Sequence, residues 1–526
     1  MKTFNKFQRQ WKSFFLTTGS LLFFVVFILL LLYDKQDNRL LTNRWLFVAA
    51  LLTFSIIGVL YFFTCKEKTR PFLSFTKLVI IYGLLFLLQI FLVNRTYFYT
   101  GWDVSLMRFR LEHILQGGSM YEVSGVEGFS ICPNNLFLFY VLYLVQKVAL
   151  LFSVRQPYLF CLYSSCFSVT ISCFIGNFIM RRLTENNLIH LLYMIASTLF
   201  ILFSPWIVIP YSDTFGMLFV TFGLWAMICL QRTAVKWAVL SFSSIVGYMI
   251  KPSCLFPLFA ALILYLPQLL VSIRVRWKEV CILTASILFF SGINYITPIW
   301  IQHTFFFKLN PELRLSYPHY MMMGLNRESS GSFSGEDYLF SVSIPTLKER
   351  EQANWEMIQY RLNSFTREEL SQFFINKLLW NFNDGTFAWA YEGNFFEVQF
   401  NHDSFINDLY LETFHPDGDY YQLYRTVAQS IWLWILLGIP FLFWSRESAA
   451  GKKALLLISV SGLLVFLLIF EARARYLYLY SPVFLILSLC GYEGIYKSIC
   501  DRVRASVHDQ VGVSFPSSNT TVHQTD

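Results

Sequence analysis

Charged residues are scarce in this chain of 526 residues. Asp, Glu, Lys and Arg make up 14% of it, whereas an ordinary soluble domain has about 25%. Hydrophobic residues make up 56%, which argues against both a soluble cytosolic protein and a disordered chain. Uncharged runs such as residues 14–33 reach the membrane-spanning length of about 20 residues. The composition therefore predicts a polytopic membrane protein.

Sequence motifs for metal, nucleotide or hydrolase chemistry are also lacking. The ten cysteines lie mostly within apolar runs, and they form neither a CxxC pair nor a Cys/His ligand spacing. The sequence contains no Walker motif, Rossmann fingerprint, HExxH or GxSxG. These absences argue against nucleotide-driven transport by this chain, and no motif in the sequence indicates a metal site. The net charge of +8 comes from short basic clusters between apolar runs, so it indicates membrane topology and no nucleic-acid partner.

Thirteen apolar segments divide the chain. Lipid offers no partner to an unpaired backbone group, so each segment is predicted to be a helix. The segments are residues 14–33, 46–64, 75–93, 135–153, 158–180, 188–204, 214–230, 237–250, 254–273, 280–301, 429–445, 454–470 and 477–495. The first is too long for a signal peptide, and we interpret it as the first transmembrane helix. The expected fold is an all-α polytopic membrane protein with about 12–13 transmembrane segments.

The Lys/Arg clusters predict how these helices are oriented in the cell membrane. Four basic residues among the first twelve place the N-terminus in the cytoplasm, and the last clusters place the C-terminus there too. The clusters alternate correctly only if residues 135–180 make one net crossing, so one of the two apolar segments there is predicted to be re-entrant or partly inserted. Five segments are then expected to face outward: residues 94–133, 205–213, 251–253, 302–429 and 471–476.

This reading divides the chain into six parts. They are residues 1–93 (N-terminal transmembrane helices), 94–133 (a first outer loop with an amphipathic helix), 134–301 (a central bundle), 302–429 (a large extracytoplasmic domain), 430–500 (C-terminal transmembrane helices) and 501–526 (a disordered cytoplasmic tail). The large domain holds 17 of the 33 acidic residues, many aromatics and two predicted helices, at 346–363 and 368–380. A loop of this length usually carries function, and we expect it to be a folded cap.

The first outer loop contains a predicted surface helix that ends at Gly117 and Gly118. Apolar residues recur at helical spacing: Val104, Met107, Leu111 and Ile114. Polar residues fall on the opposite face: Ser105, Arg108 and Glu112. Asp103 stands at the start of the helix. It suits either an N-cap or a general base held at the membrane–water interface, and the sequence leaves both roles open.

Five further charged residues lie where outer turns meet apolar helices: Asp213, Lys251, Glu471, Arg473 and Arg475. A charge at such a boundary is costly unless it is paired or used. Asp213 is either the N-cap of a helix that starts at Thr214 or a site acid. Lys251 either snorkels or meets an anion, beside a helix break at Pro252. The two arginines suit a lipid phosphate, because guanidinium binds phosphate bidentately.

The large loop adds weaker candidates: His319, Asp337, Asp384 and Glu392. They lie in two stretches, YPHYMMMGLNRESSGSFSGEDY and NFNDGTFAWAYEG, that mix glycine, acids and aromatics. Such a mixture either holds a sugar or forms the small core of the loop itself, and the sequence leaves both readings open.

Together these pieces resemble the GT-C superfamily of integral membrane glycosyltransferases, in particular the protein-mannosyltransferase-like members of Gram-positive bacteria. The resemblance rests on the order of GWD, CPNNLFLF, YSDTFGMLF, IKPS, the YPHYMMMGLN and NDGTFAW stretches, and EARARY, across residues 45–495. It implies a GT-C-like helical bundle with the catalytic acid in the first outer loop. It also implies a polyprenyl-phosphate sugar donor and inverting transfer on the outer face.

Carried onto this chain, the resemblance makes Asp103 the general base and places Lys251, Arg473 and Arg475 at the donor phosphate. Asp213 would orient the acceptor or an arginine. Many members carry two adjacent acids in the first loop, whereas Asp103 stands alone here, so a second acid is expected from Asp213 or Glu112. Some members use a divalent metal and others do not, so metal dependence stays open, with no metal ligands assigned.

The expected partners are the lipid-linked sugar donor, membrane lipids, and a cell-wall polymer, glycolipid or protein as acceptor. Two alternatives belong to other classes: a flippase or transporter of lipid-linked sugars, and an oligosaccharide polymerase or ligase. A transporter usually shows internal repeats and polar residues in mid-helix, whereas here the charges collect at one boundary of the membrane.

Overall fold

The computed structural model of the chain describes residues 2–34, 39–64, 73–154, 156–271, 273–391, 395–400, 404–444 and 449–511. Across these ranges the chain forms twenty α-helices and two short strands, which confirms the predicted all-α polytopic fold. The helices before the large domain are α1 Lys2–Leu32, α2 Asn43–Thr64, α3 Phe75–Thr96, α4 Trp102–Leu115, α5 Gly125–Ile131, α6 Asn135–Leu151, α7 Tyr158–Leu183, α8 Asn187–Ser197, α9 Ser212–Cys229, α10 Thr233–Tyr248, α11 Phe256–Val271 and α12 Ile273–Thr304.

The remaining helices are α13 Tyr317–Met323, α14 Gly335–Val342, α15 Leu347–Ser364, α16 Arg367–Phe382, α17 Phe405–Phe414, α18 Tyr421–Gly438, α19 Ala450–Ile469 and α20 Arg475–Val511. A π-helical turn, Thr198–Leu202, continues α8, and short 3-10 turns cover Pro205–Val208, Pro252–Leu255, Pro311–Leu313 and Ile439–Trp444. The strands β1 (Phe98–Tyr99) and β2 (Val398–Gln399) pair antiparallel.

Eleven helices of the described chain are long and apolar enough to cross a membrane. All thirteen predicted apolar segments are helical, and two are shorter than a full span. One is α8 with its π-helical turn, and the other is α10, which has 16 residues. At 1.5 Å per residue, 16 residues reach about 24 Å, less than the hydrocarbon thickness of about 30 Å.

Helix α6 begins and ends at one end of the bundle. At its start Asn135 contacts Asp103, and beyond its end Gln156 accepts a hydrogen bond from Tyr97, which follows α3. Helix α7 then runs to the opposite end, where Arg181 donates to the carbonyl of Leu73 ahead of α3. Although α6 is among the eleven apolar helices, these contacts agree with the prediction of one net crossing for residues 135–180.

Helix α20 forms the centre of the bundle. Its segment 477–492 is buried on every side, as expected for a helix that is hydrophobic all round. Two of its tyrosines donate hydrogen bonds to carbonyls of neighbouring irregular turns: Tyr478 to Ile201 in the π-helical turn, and Tyr480 to Ser253 in the 3-10 turn. The predicted helix break at Pro252 is thereby confirmed.

The five segments predicted to share one side meet at one end of the bundle, which we call the domain end. The strand pair joins the first loop to the large domain. Trp206 donates to the carbonyl of Thr386 at 2.9 Å, and Ala472 donates to the carbonyl of Gly331 at 2.7 Å. The large domain has a small core of its own, formed by Met322, Leu325, Ile358 and Phe373. It is therefore a folded cap, with α15 and α16 close to their predicted positions.

The predicted tail is wrong over its first part. Helix α20 continues to Val511, so residues 501–511 are helical instead of disordered. A helix that is already nucleated extends at little cost, and polar residues continue it beyond the apolar core. Residues 512–526 lie outside the described part of the chain.

Candidate functional site

Two adjoining cavities lie at the domain end. The smaller one, of about 340 Å³, is named the charged cavity for five of its lining residues: Asp103, Arg110, Glu471, Arg473 and Arg475. The larger one, of about 780 Å³, lies between the bundle helices and the large domain, and we call it the bundle cavity. Its lining includes Phe137, Lys251, Tyr295, Ile301 and Phe466 from the bundle and Arg314, Tyr317 and Glu351 from the large domain. The two cavities share four lining residues: Asn134, Leu315, Tyr320 and Tyr476. A charged chamber thus adjoins a larger space with many apolar side chains.

Asp103 lies in the first turn of α4, and its carboxylate faces the charged cavity. Tyr211 donates a hydrogen bond to Oδ2 at 2.7 Å, and the amide of Asn135 approaches the same oxygen at 3.4 Å. Burial, followed by the Asp103 charge, raises the pKa of Tyr211 well above its usual value, so its hydroxyl stays a donor. The N-cap of α4 is Gly101, which makes the proposed capping role of Asp103 wrong.

Trp102, which begins α4, holds a backbone conformation that is rare for its residue type. Its φ is 52°, in the left-handed region that favours glycine. The ring of Trp102 lies 5.1 Å from that of Tyr211, and the Arg475 guanidinium lies 4.5 Å above it. Strained backbone of this kind persists where surrounding packing enforces it and is concentrated at functional sites.

Asp213 is buried between two cations. One oxygen accepts a hydrogen bond from Lys251, and the other lies 3.8 Å from Nε of Arg475. Helix α9 starts at Ser212 with Tyr211 as N-cap, so the capping role proposed for Asp213 is wrong as well. Asp213 lines neither cavity, whereas Lys251 faces the bundle cavity and Arg475 the charged cavity. The predicted partner anion of Lys251 is therefore this carboxylate, which orients both cations.

The turn before α20 presents Glu471 and Arg473 to the charged cavity. Arg473 donates to Oε1 of Glu471 at 2.7 Å, so this acid holds an arginine in place. The residues between α19 and α20 form a non-helical turn, as predicted. Lys377 of the large domain donates to the carbonyl of Phe470 at 2.6 Å and to that of Gly324. The cap thereby anchors the turn that carries Arg473 and leads into Arg475 at the start of α20.

Three other predicted site residues lie away from both cavities. Glu112 binds Arg108 at 2.8 Å, which contradicts its proposed role as a second site acid. Asp337 binds Arg361 at 2.6 Å inside the cap, and Asp384 accepts bonds from the Thr386 amide and hydroxyl. Glu392 lies outside the described residues.

The polar face predicted for α4 is not its exposed face. Arg108 is buried, with its guanidinium 3.9 Å from the centre of the Tyr99 ring. The exposed side chains are Leu106 and Phe109. The spacing placed the helix correctly, but strand β1 and the neighbouring loops cover the polar side.

The sequence profile of a family described as conserved hypothetical integral membrane proteins matches residues 3–494. The chain belongs to this family. No curated protein and no solved structure matches it. Family membership confirms an integral membrane protein, as the composition predicted.

Three polar residues of the site did not stand out in the sequence: Arg110, Asn135 and Tyr211. Asn135 belongs to the CPNNLFLF stretch and begins α6, and Tyr211 belongs to the YSDTFGMLF stretch and directly precedes α9. Arg110 lies seven residues after Asp103, so the two share one side of α4. The seven-residue spacing from Asp103 was therefore the signal in the sequence that could have indicated Arg110.

Among the described residues, no group of three or more His, Cys, Asp and Glu is arranged to hold a metal ion.

His319 lines the charged cavity, yet its ring is buried and bonded to Ser341 at 2.7 Å. Burial lowers its pKa to about 4 from 6.5. Between these values the unfolded chain binds a proton that the folded chain rejects, so stability falls as pH falls from 6.5 toward 4, by up to about 3 kcal/mol. We expect the melting temperature in detergent to drop between pH 7 and pH 4.5, and His319→Gln to reduce this drop. His113→Gln, at a partly exposed histidine, is the control; an equal effect of both variants would contradict the assignment.

Proposed function

We propose that this chain is a membrane glycosyltransferase of the GT-C type. It transfers a sugar from a polyprenyl-phosphate donor to an acceptor of the cell envelope, on the outer face of the membrane. The observation that carries the proposal is the joining of two spaces: Asp103 and three arginines line a chamber that shares four residues with a larger cavity between the membrane helices and the large domain. A sugar linked to a lipid phosphate needs both environments.

Asp103 acts as the general base. The acceptor oxygen attacks the anomeric carbon, its proton passes to a carboxylate oxygen of Asp103, and the bond between that carbon and the phosphate oxygen breaks. Attack from the face opposite the departing phosphate inverts the configuration. The Tyr211 hydroxyl donates a hydrogen bond to Oδ2 of Asp103 and thereby orients the carboxylate. The other oxygen, Oδ1, then takes the proton of the acceptor hydroxyl.

The cations stabilise the departing phosphate, which gains negative charge as the bond breaks. Arg473 and Arg475 approach it from the charged cavity and Lys251 from the bundle cavity. Glu471 and Asp213 hold these cations and do not contact the substrate in this proposal. Asp213 is thus a positioning residue instead of the second catalytic acid.

The outer location follows from the basic clusters of the sequence. The domain end, which carries both cavities, lies opposite the loops that those clusters assign to the cytoplasm. Both termini are then cytoplasmic. The polyprenyl donor enters the bundle cavity from the membrane, and the acceptor reaches the charged cavity from outside.

Reconstituted proteoliposomes test the proposal. Purified protein receives radiolabelled polyprenyl-phosphate sugars, one at a time, with a cell-wall extract as acceptor. We expect label to move from the lipid to the acceptor with at least one donor. Movement of the intact lipid-linked sugar across the bilayer, without transfer, would instead identify a flippase, and joining of oligosaccharide units would identify a polymerase or ligase.

A further inference from the structure

Arg110 differs from the other arginines around the charged cavity. Arg108 is paired with Glu112, Arg473 with Glu471, and Arg475 lies beside Asp213. Arg110 is as buried as Arg108, with 7% of its surface exposed, yet it forms no ion pair within the described chain. Its Nη2 donates to the Ser124 carbonyl at 3.2 Å, and its Nε has no hydrogen-bond partner. A buried charge is normally paired, because desolvation is otherwise uncompensated.

The surroundings keep the guanidinium at the cavity wall. It lies 4.8 Å from the centre of the Phe129 ring. Gly128 leaves the space that Nη2 fills, since a Cβ atom there would collide with it. Gly128 and Phe129 line the same cavity as Arg110. The position is therefore built for a cation that faces the chamber.

The location of Arg110 separates it from the cations assigned to the donor phosphate. Arg475 stacks on Trp102 at the N-terminal end of α4. Arg110 lies seven residues beyond Asp103 on the same side of α4, so its Cα atom lies about 10 Å further along the helix. Asp103 must touch the attacked hydroxyl, so an acceptor that continues along α4 reaches Arg110 two turns later.

We infer that the acceptor carries a phosphate or carboxylate, and that Arg110 binds this anion while Asp103 contacts the hydroxyl that receives the sugar. The inference rests on the proposed function for the meaning of acceptor, whereas the anion site itself rests on the geometry of Arg110. It narrows the acceptor to an anionic polymer or glycolipid, such as a polyol phosphate or a uronic acid chain.

Binding to protein in nanodiscs tests the anion site without any transfer reaction. The probes are a short glycerol phosphate oligomer, a glucuronate oligomer, and an oligoglycerol of the same length without phosphate. We expect at least one anionic probe to bind. The neutral probe should bind at least about tenfold more weakly, since a hydrogen bond to a charged group typically changes affinity by this factor or more. Arg110→Gln should lose that preference and Arg110→Lys should keep most of it.

Two variants guard against a general structural effect. Arg108→Gln changes an arginine of the same helix that does not line the cavity, and it should leave anion binding unchanged. Gly128→Ala keeps Arg110 but displaces its guanidinium, and it should weaken binding as Arg110→Gln does. Equal losses in Arg108→Gln and Arg110→Gln, or equal binding of charged and neutral probes, would overturn the inference.

Kinetics distinguish this site from the proposed reaction and from a donor site. Anion binding that depends on Arg110, without transfer from any donor, would retain the site and reject the glycosyltransferase. Transfer in which Arg110→Gln raises the KM of the donor alone would reject the acceptor assignment. The expected result is a raised KM for the anionic acceptor with the donor KM unchanged.

Discussion

Asp103→Asn is expected to reduce sugar transfer by about a hundredfold to ten-thousandfold, the usual contribution of a general base. Asparagine has nearly the same shape and still accepts the hydrogen bond from Tyr211, so the site should remain intact. It cannot take a proton from the acceptor hydroxyl. The loss should therefore appear in kcat, with the KM values for donor and acceptor close to those of the wild type.

The matched control for this variant is Glu112→Gln. Glu112 lies on the same helix as Asp103, but it binds Arg108 and does not line the charged cavity. Transfer by Glu112→Gln should stay close to the wild-type rate, as measured in the same proteoliposomes. If Asp103→Asn keeps full activity while eluting as a folded protein, Asp103 is not the base, and the mechanism proposed above is wrong.

Asp213→Asn is expected to destabilise the protein by about 3–5 kcal/mol, the cost of removing one partner from a buried ion pair. The change leaves Lys251 and Arg475 buried next to each other without the carboxylate between them. Both cations should then shift, and the loss of transfer should accompany the loss of stability. Thermal unfolding in detergent, followed by loss of the monodisperse peak, measures the first effect.

A second substitution separates charge from packing at this position. Asp213→Asn combined with Lys251→Met removes a cation together with the anion, so it should be more stable than Asp213→Asn alone. Glu369→Gln is the surface control: its pair with Arg327 at 3.2 Å is exposed to solvent, so its loss should change stability little. A single Asp213→Asn that unfolds at the wild-type temperature would show that the three charges do not depend on one another.

Most residues of the candidate site stand out in the sequence, but their ion pairs do not. Lys251, Glu471, Arg473 and Arg475 stood out because charge at the end of an apolar run is unusual, and Asp103 stood out at the start of the predicted surface helix. All five line one of the two cavities. Asp213 stood out for the same reason but lies behind the cations. The sequence cannot distinguish these cases, since both need a charge at the membrane boundary.

Arg110 shows what the one-dimensional pattern omits. Arg108 is also an arginine of α4, two residues away, and it forms an ion pair with Glu112 one turn further along the helix. Arg110 forms no such pair among the described residues. The burial of Arg110 depends on α5 and on the space at Gly128, which pack against α4 from a later part of the chain. No local spacing rule contains that information.

The sequence by itself determined the membrane class, the helical nature of the apolar segments and the set of loops that share one end of the bundle. It did so because apolar run length and the placement of basic residues act locally, segment by segment. The tertiary structure alone decided which charges pair, which face a cavity and where the two cavities join. Those outcomes depend on distances between residues far apart in the chain, such as Asp213, Lys251 and Arg475, and helix packing sets these distances.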